Sequence, residues 1–220
     1  MKEKIDIEEQ IMEALKNCNF DDLDDNEDDF YFKVVEPFKE KYHGQVSYAT
    51  GATKGVLIFN DYNFVIKIPF RYDSNYDDSQ FCGANCDCGW DYCEVEASLF
   101  SSAEDDNIEE CFAKSELIGE VDGYPIYKQE MATIYASSDK TTTSSHTKED
   151  EEKVENICDT DNYDCFNTNW LSDVFAYFGE EKFYKLMNFI RDYDIKDLHS
   201  NNLGYIGMKP VLVDYSSFNE

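Results

Sequence analysis

The chain has 220 residues and a formal net charge of −29, with 48 acidic against 19 basic side chains. That charge argues against direct nucleic-acid binding, which needs a basic footprint, and against docking on an anionic membrane. Apolar residues at 42% and aromatics at 15% suffice for one domain or two small lobes with a real core, which argues against a disordered chain.

The opening stretch, MKEKIDIEEQIMEALKN, is charged and amphipathic: Ile7, Ile11, Ala14 and Leu15 share one helical face, and no secretory leader pattern is present. No apolar run is long enough to span a bilayer. Together these point to the cytoplasm, where the eight cysteines are thiols or metal ligands rather than disulfides. FDDLDDNEDDF follows and reads as a solvated acidic loop, since it lacks the spacing and central glycine of a calcium loop. YFKVVEPFKEKY reads as a short helix interrupted at Pro37. Residues 1–43 are thus expected to form an N-terminal helix and an acidic loop.

The pattern then switches to strands. GQVSYATGATKGVLIFNDYNFVIKIPF holds three extended runs, with a turn over Gly51 to Gly55 and a hairpin at residues 60–63. DYCEVEASLFSSA has helical character. AKSELIGEVDGYPIYKQEMA is a second hairpin, turning at Asp122-Gly123. Residues 44–131 therefore read as a sheet with one helix. Within them Cys82, Cys86, Cys88 and Cys93 cluster. Four thiolates can satisfy Zn²⁺, but this spacing matches no common zinc finger, and free thiols are the competing reading.

Residues 132–220 read as a reduced helical lobe. Residues 137–153 are polar and of low complexity, expected to be a flexible loop. NWLSDVFAYF and EKFYKLMNFIRDY have helical spacing, with Phe183, Leu186, Met187 and Ile190 on one face. NLGYI and PVLVDY form a last hairpin across residues 207–209.

The polar residues of that hairpin make a constellation. Asp197 and Asn202 bracket the loop KDLHSNN, and Asp214 ends the returning strand, so Asn202 and Asp214 are expected to lie close. One amide oxygen and one carboxylate, with phosphate oxygens and water, suit Mg²⁺. A network of turn-capping side chains is the alternative. Upstream, Lys67 lies in the apolar strand FVIKI, where a buried ammonium needs a partner; an edge lysine that blunts aggregation is the other reading. Glu96, preferred over Glu94 because Phe100 follows one turn later, is the candidate partner, against a solvated glutamate.

In this order the pieces resemble the protein-kinase-like superfamily, and KDLHSNNLGY is similar to the catalytic loop of aminoglycoside phosphotransferases and related small-molecule kinases, which carry D-x-H-x-x-N. The resemblance runs from about residue 44 onward. It implies a two-lobed α+β fold that binds ATP and Mg²⁺. Lys67 would hold the phosphates, with Glu96 orienting it. Asp197 would be the catalytic base or substrate-positioning carboxylate, and Asn202 and Asp214 the metal ligands. Gly51 to Gly55 would cover the phosphates, and Glu130 and Met131 would form the hinge that meets the adenine. The acceptor would be a small molecule or a protein. The chain departs from the family pattern at Ile195, where a histidine is usual, and at Tyr215 and Ser216, where Phe and Gly are usual. The sequence also ends six residues after Asp214. These departures favour an alternative, a pseudokinase-type binding or inhibitor module; the charge alone supports a third, an acidic nucleic-acid mimic.

Overall fold

A computed structural model of the chain describes residues 7–20, 23, 27–51, 53–70, 91–135 and 146–216. The fold is α+β with antiparallel sheets. It divides into two compact units, Met1–Ala97 with Ser115–Glu130, and Ser98–Lys114 with Met131–Glu220. No helix among the described residues is long and apolar enough to cross a membrane.

The first unit begins with α1 (Ile7–Leu15), which buries Ile11, Ala14 and Leu15 on the face that its spacing marks. The acidic stretch after it is not a solvated loop throughout. Leu23 and Phe30 are fully buried, and Glu27–Phe30 form α2. The apolar residues spaced among the aspartates supply core contacts that composition alone conceals.

Nor does Pro37 interrupt the next helix. A π-helical turn, Tyr31–Val35, joins α2 to α3 (Glu36–Lys41), so the chain stays helical across the proline. The Glu36 N–H reaches back to Tyr31 O, one residue farther than in an α-helix. Pro37 sits in the first turn of α3, where a missing N–H is tolerated. The carbonyl four residues before it, Lys33 O, instead accepts from Asn19 N–H at 2.9 Å.

Five strands form the first unit's sheet: β1 (Ser47–Thr50), β2 (Lys54–Phe59), β3 (Phe64–Pro69), β4 (Ser115–Val121) and β5 (Tyr124–Glu130), in the order β1-β2-β3-β5-β4. The β4–β5 turn has Asp122 at φ 52° and Gly123 at φ 77°, the double left-handed pair that a two-residue hairpin requires. Alternation sorts the faces. Leu57, Phe59, Ile66, Ile68 and Ile126 join Ile11, Leu15, Phe30 and Phe38 in one core. Cross-strand register places Val56, Lys67 and Tyr127 in one row, and the neighbouring row holds Val65, Gln129 and Ser115. The face away from that core therefore carries Lys54, Lys67 and Gln129. β3 is an interior strand, so the edge-lysine reading of Lys67 does not hold.

α4 (Asp91–Asp105) follows β3 in the chain; its first half belongs to the first unit and its second half to the second. The second unit then contains α5 (Lys148–Asp161), α6 (Thr168–Phe178) and α7 (Glu180–Asp192), with a small sheet of β6 (Thr133–Ile134), β7 (Leu203–Ile206) and β8 (Lys209–Leu212). The expected flexible loop is corrected in its second half, because residues 148–153 are helical. Thr147 and Asp150 form a reciprocal capping box, with Thr147 N–H donating to Asp150 Oδ2 at 2.8 Å, and Val154, Ile157 and Cys158 are buried behind it. The capping signal lies within a Ser/Thr-rich tract, where low complexity masks it. Residues 137–145 lie outside the described residues. In α6, six consecutive residues from Trp170 to Phe175 are buried, as for a helix packed on all sides. α7 buries Phe183, Leu186, Met187 and Ile190, as its spacing predicts.

Candidate functional site

Two sets of polar side chains stand out, one in each unit. The first is built on β2, β3, α4 and β5. Lys67 Nζ lies 2.7 Å from Glu96 Oε2 and 2.9 Å from Oε1. Lys54 Nζ contacts the same Oε1 at 2.9 Å, and the Gln129 amide donates to Oε2 at 3.4 Å. Glu96 has no exposed surface, whereas Glu94 is exposed, which resolves the choice between them. Burying a carboxylate is costly unless opposite charge and hydrogen bonds offset it, and both lysines supply these.

The predicted glycine turn has a narrower extent than expected. Gly51 N–H donates to Lys54 O at 2.9 Å, closing the turn, and β2 starts at Lys54. Gly55 lies inside β2 on the core face. A Cβ there would stand 2.1 Å from the Phe30 ring, so packing against Phe30 accounts for this glycine. At the far end of β5, Glu130 closes the first unit and Met131 opens the second, so the unit boundary falls between the two expected hinge residues.

The second set is the loop before β7 with the residues after β8. The Asn202 side-chain amide donates to Asp197 O at 2.8 Å and to Asp197 Oδ2 at 3.0 Å, orienting its own oxygen away from Asp197. His199 Nδ1 accepts from Asn201 N–H at 3.2 Å, which leaves the proton on Nε2, 3.3 Å from Asp197 Oδ1. Val213 N–H donates to Asn202 O at 2.9 Å, setting the residue before Asp214 against Asn202. Ser216 donates to Asp214 Oδ1 at 3.2 Å. Tyr215 is fully buried, donates to Ala113 O at 3.0 Å and packs edge-on against Phe112, so it anchors the strand end that carries Asp214. An amide oxygen and a carboxylate are hard donors suited to Mg²⁺ completed by phosphate and water.

Sequence reasoning missed two things. One is Lys54, whose signal is faint: only the strand register shows that it shares a face with Lys67. The other is a buried cluster in the second unit. His146 Nδ1 lies 2.9 Å from Asp173 Oδ1 and its Nε2 lies 2.8 Å from Glu151 Oε1. Tyr205 donates to Asp173 Oδ2 at 2.7 Å. Burial pulls the His146 pKa down, but the hydrogen bonds and charges of Asp173 and Glu151 outweigh it and raise the value above the ordinary one. Burial, reinforced by Asp173, pushes the Tyr205 hydroxyl up.

Of the four clustered cysteines, Cys82, Cys86 and Cys88 lie outside the described residues, and Cys93 is buried in α4. Among the described residues no group of three or more His, Cys, Asp and Glu side chains is placed to hold a metal ion. Burial pushes the Cys18 and Cys111 thiols up to about 12, as for unreactive core cysteines. No family model matches the chain, and no curated protein matches it.

Proposed function

We propose that this is a kinase-like protein that binds ATP with Mg²⁺ and acts as a phosphotransferase on a small molecule or a protein. The observation that carries the reading is the buried Lys67–Glu96 pair at 2.7 Å, formed by two residues 29 positions apart. A strand lysine oriented by a helix glutamate is the arrangement that phosphoryl transfer uses to hold nucleotide phosphates. Asp197 serves as the base or positioning carboxylate for an acceptor hydroxyl, and Asn202 and Asp214 supply the metal ligands. Magnesium, when bound, neutralises phosphate charge. Gly51 and its turn contribute backbone to the phosphates, and Glu130 with Met131 contribute backbone groups to the base.

One observation favours a second reading, nucleotide binding without turnover. Ile195, which stands where the family pattern has a histidine, is buried at 4% exposure and brings no polar group to the loop. Both readings share the nucleotide and differ only in turnover.

Thermal unfolding in the presence of ATP and Mg²⁺, followed by assay of phosphate release, tests the proposal. The expected result is an ATP-dependent rise in Tm that needs Mg²⁺ and shrinks in Asp214→Ala. An Asp214→Ala protein with the full Mg²⁺-dependent rise would remove the metal role given to Asp214. Phosphate release separates the two readings.

A further inference from the structure

Lys54 sits where the glycine turn joins the sheet. Its carbonyl closes the turn by accepting Gly51 N–H at 2.9 Å, and its side chain crosses to α4. There it meets the Glu96 oxygen that Lys67 also meets, each at 2.9 Å, so the two ammonium nitrogens stand no more than twice 2.9 Å apart. The Lys54 and Lys67 side chains keep 7% and 5% of their surface, while Glu96 keeps none. Two ammonium groups this close can donate together to the oxygens of one phosphate chain.

We propose that Lys54 is a second phosphate-contacting lysine, coupled to Lys67 through Glu96. This rests on the nucleotide reading and deepens it. Lys54 also ties the glycine turn to α4 through Glu96, so the turn and the helix that orients Lys67 are positioned by one carboxylate.

The test is calorimetric titration of the full chain with MgATP, adenosine and inorganic tripolyphosphate, for wild type, Lys54→Met, Lys54→Arg and Lys67→Met. Lys54→Met leaves Lys67 paired with Glu96 and keeps the apolar stem, so the fold is expected to survive. Circular dichroism checks this, and Lys54→Gln replaces it should it fail. The expected result is a loss of about 10- to 100-fold in affinity for MgATP and tripolyphosphate in Lys54→Met, the size of a charge-assisted hydrogen bond. Adenosine binding should be unchanged, which a general structural defect would not allow, and Lys54→Arg should retain most of the polyphosphate affinity. If Lys54→Met binds MgATP as wild type does while Lys67→Met does not, the Lys54 role is overturned and the nucleotide reading stands. If wild type binds tripolyphosphate through Lys54 and ignores ATP, the polyphosphate site stands and the nucleotide reading falls. If wild type binds none of these ligands, both fall.

Discussion

Asn202 holds Asp197 twice, through its side-chain carboxylate at 3.0 Å and its backbone carbonyl at 2.8 Å, using one amide group. This relationship fixes the loop from within, and it depends on Asn202 being an amide rather than an acid. Asn202→Asp would set a carboxylate against that of Asp197. The variant should lose about 0.5–1.5 kcal/mol at neutral pH, because Asp197 is only part-buried and water screens part of the repulsion. Part of the loss should return as pH falls through the carboxylate range, when one of the two acids takes a proton. Urea denaturation at pH 7 and pH 4.5, compared with wild type at each pH, measures this. A loss that is the same at both pH values would contradict it.

Glu96 is shared by Lys54 and Lys67, so its removal is expected to be severe. Glu96→Gln takes away the charge that both ammonium groups contact, and breaking a buried ionic set by removing one partner costs about 3–5 kcal/mol. Adding Lys54→Met to Glu96→Gln should recover part of that stability, because one fewer cation is left behind. Chemical denaturation of the single and double variants gives the coupling energy directly. Strict additivity would show that the shared carboxylate is not the link.

His146 lies between two carboxylates, with Asp173 at 2.9 Å from one ring nitrogen and Glu151 at 2.8 Å from the other. Both nitrogens can donate only in the imidazolium form. The folded pKa is raised above the ordinary 6.5 because the two acids outweigh burial. The stabilisation is therefore fully present below the unfolded value and is lost as pH rises through the folded value. Denaturation of wild type and His146→Gln from pH 5.5 to 9 should show a gap in stability that narrows with rising pH. A gap that widens would contradict the imidazolium.

Gly55 is required by packing. In Gly55→Ala the new methyl would meet the Phe30 ring at 2.1 Å, closer than any real contact. A loss of about 1–3 kcal/mol is expected from overpacking, with partial recovery when Phe30→Leu is added. Thermal unfolding checks both. If Gly55→Ala folded as stably as wild type, the reason for glycine at this position would have to be sought elsewhere.

Much of this architecture is legible in the residues. The alternating runs GVLIF and FVIKI and the Asp122-Gly123 turn fix a sheet, because period-two burial and a left-handed turn pair leave few other options. The Lys67–Glu96 pairing was also legible, since a lysine inside an apolar strand demands an acid. Local composition misled where it was judged by polarity alone. The capping box at Thr147 lay within a Ser/Thr tract, and Leu23 and Phe30 lay within an aspartate run, so a helix and two core residues were hidden. Pro37 misled for a different reason: a π turn before it moved the proline into a first helical turn, a shift no single-residue propensity encodes. Lys54 and the His146–Asp173–Tyr205 cluster depend on registers and loop paths that only the folded chain supplies.

Equilibrium titration of the full chain with MgATP asks whether the proposed Lys67–Glu96 site anchors a nucleotide. Saturable one-to-one binding is expected for wild type, with a loss of about tenfold or more in Lys67→Met, a variant that keeps the Lys54–Glu96 contact and so should remain folded. Absence of saturable MgATP binding by folded wild-type protein would contradict it.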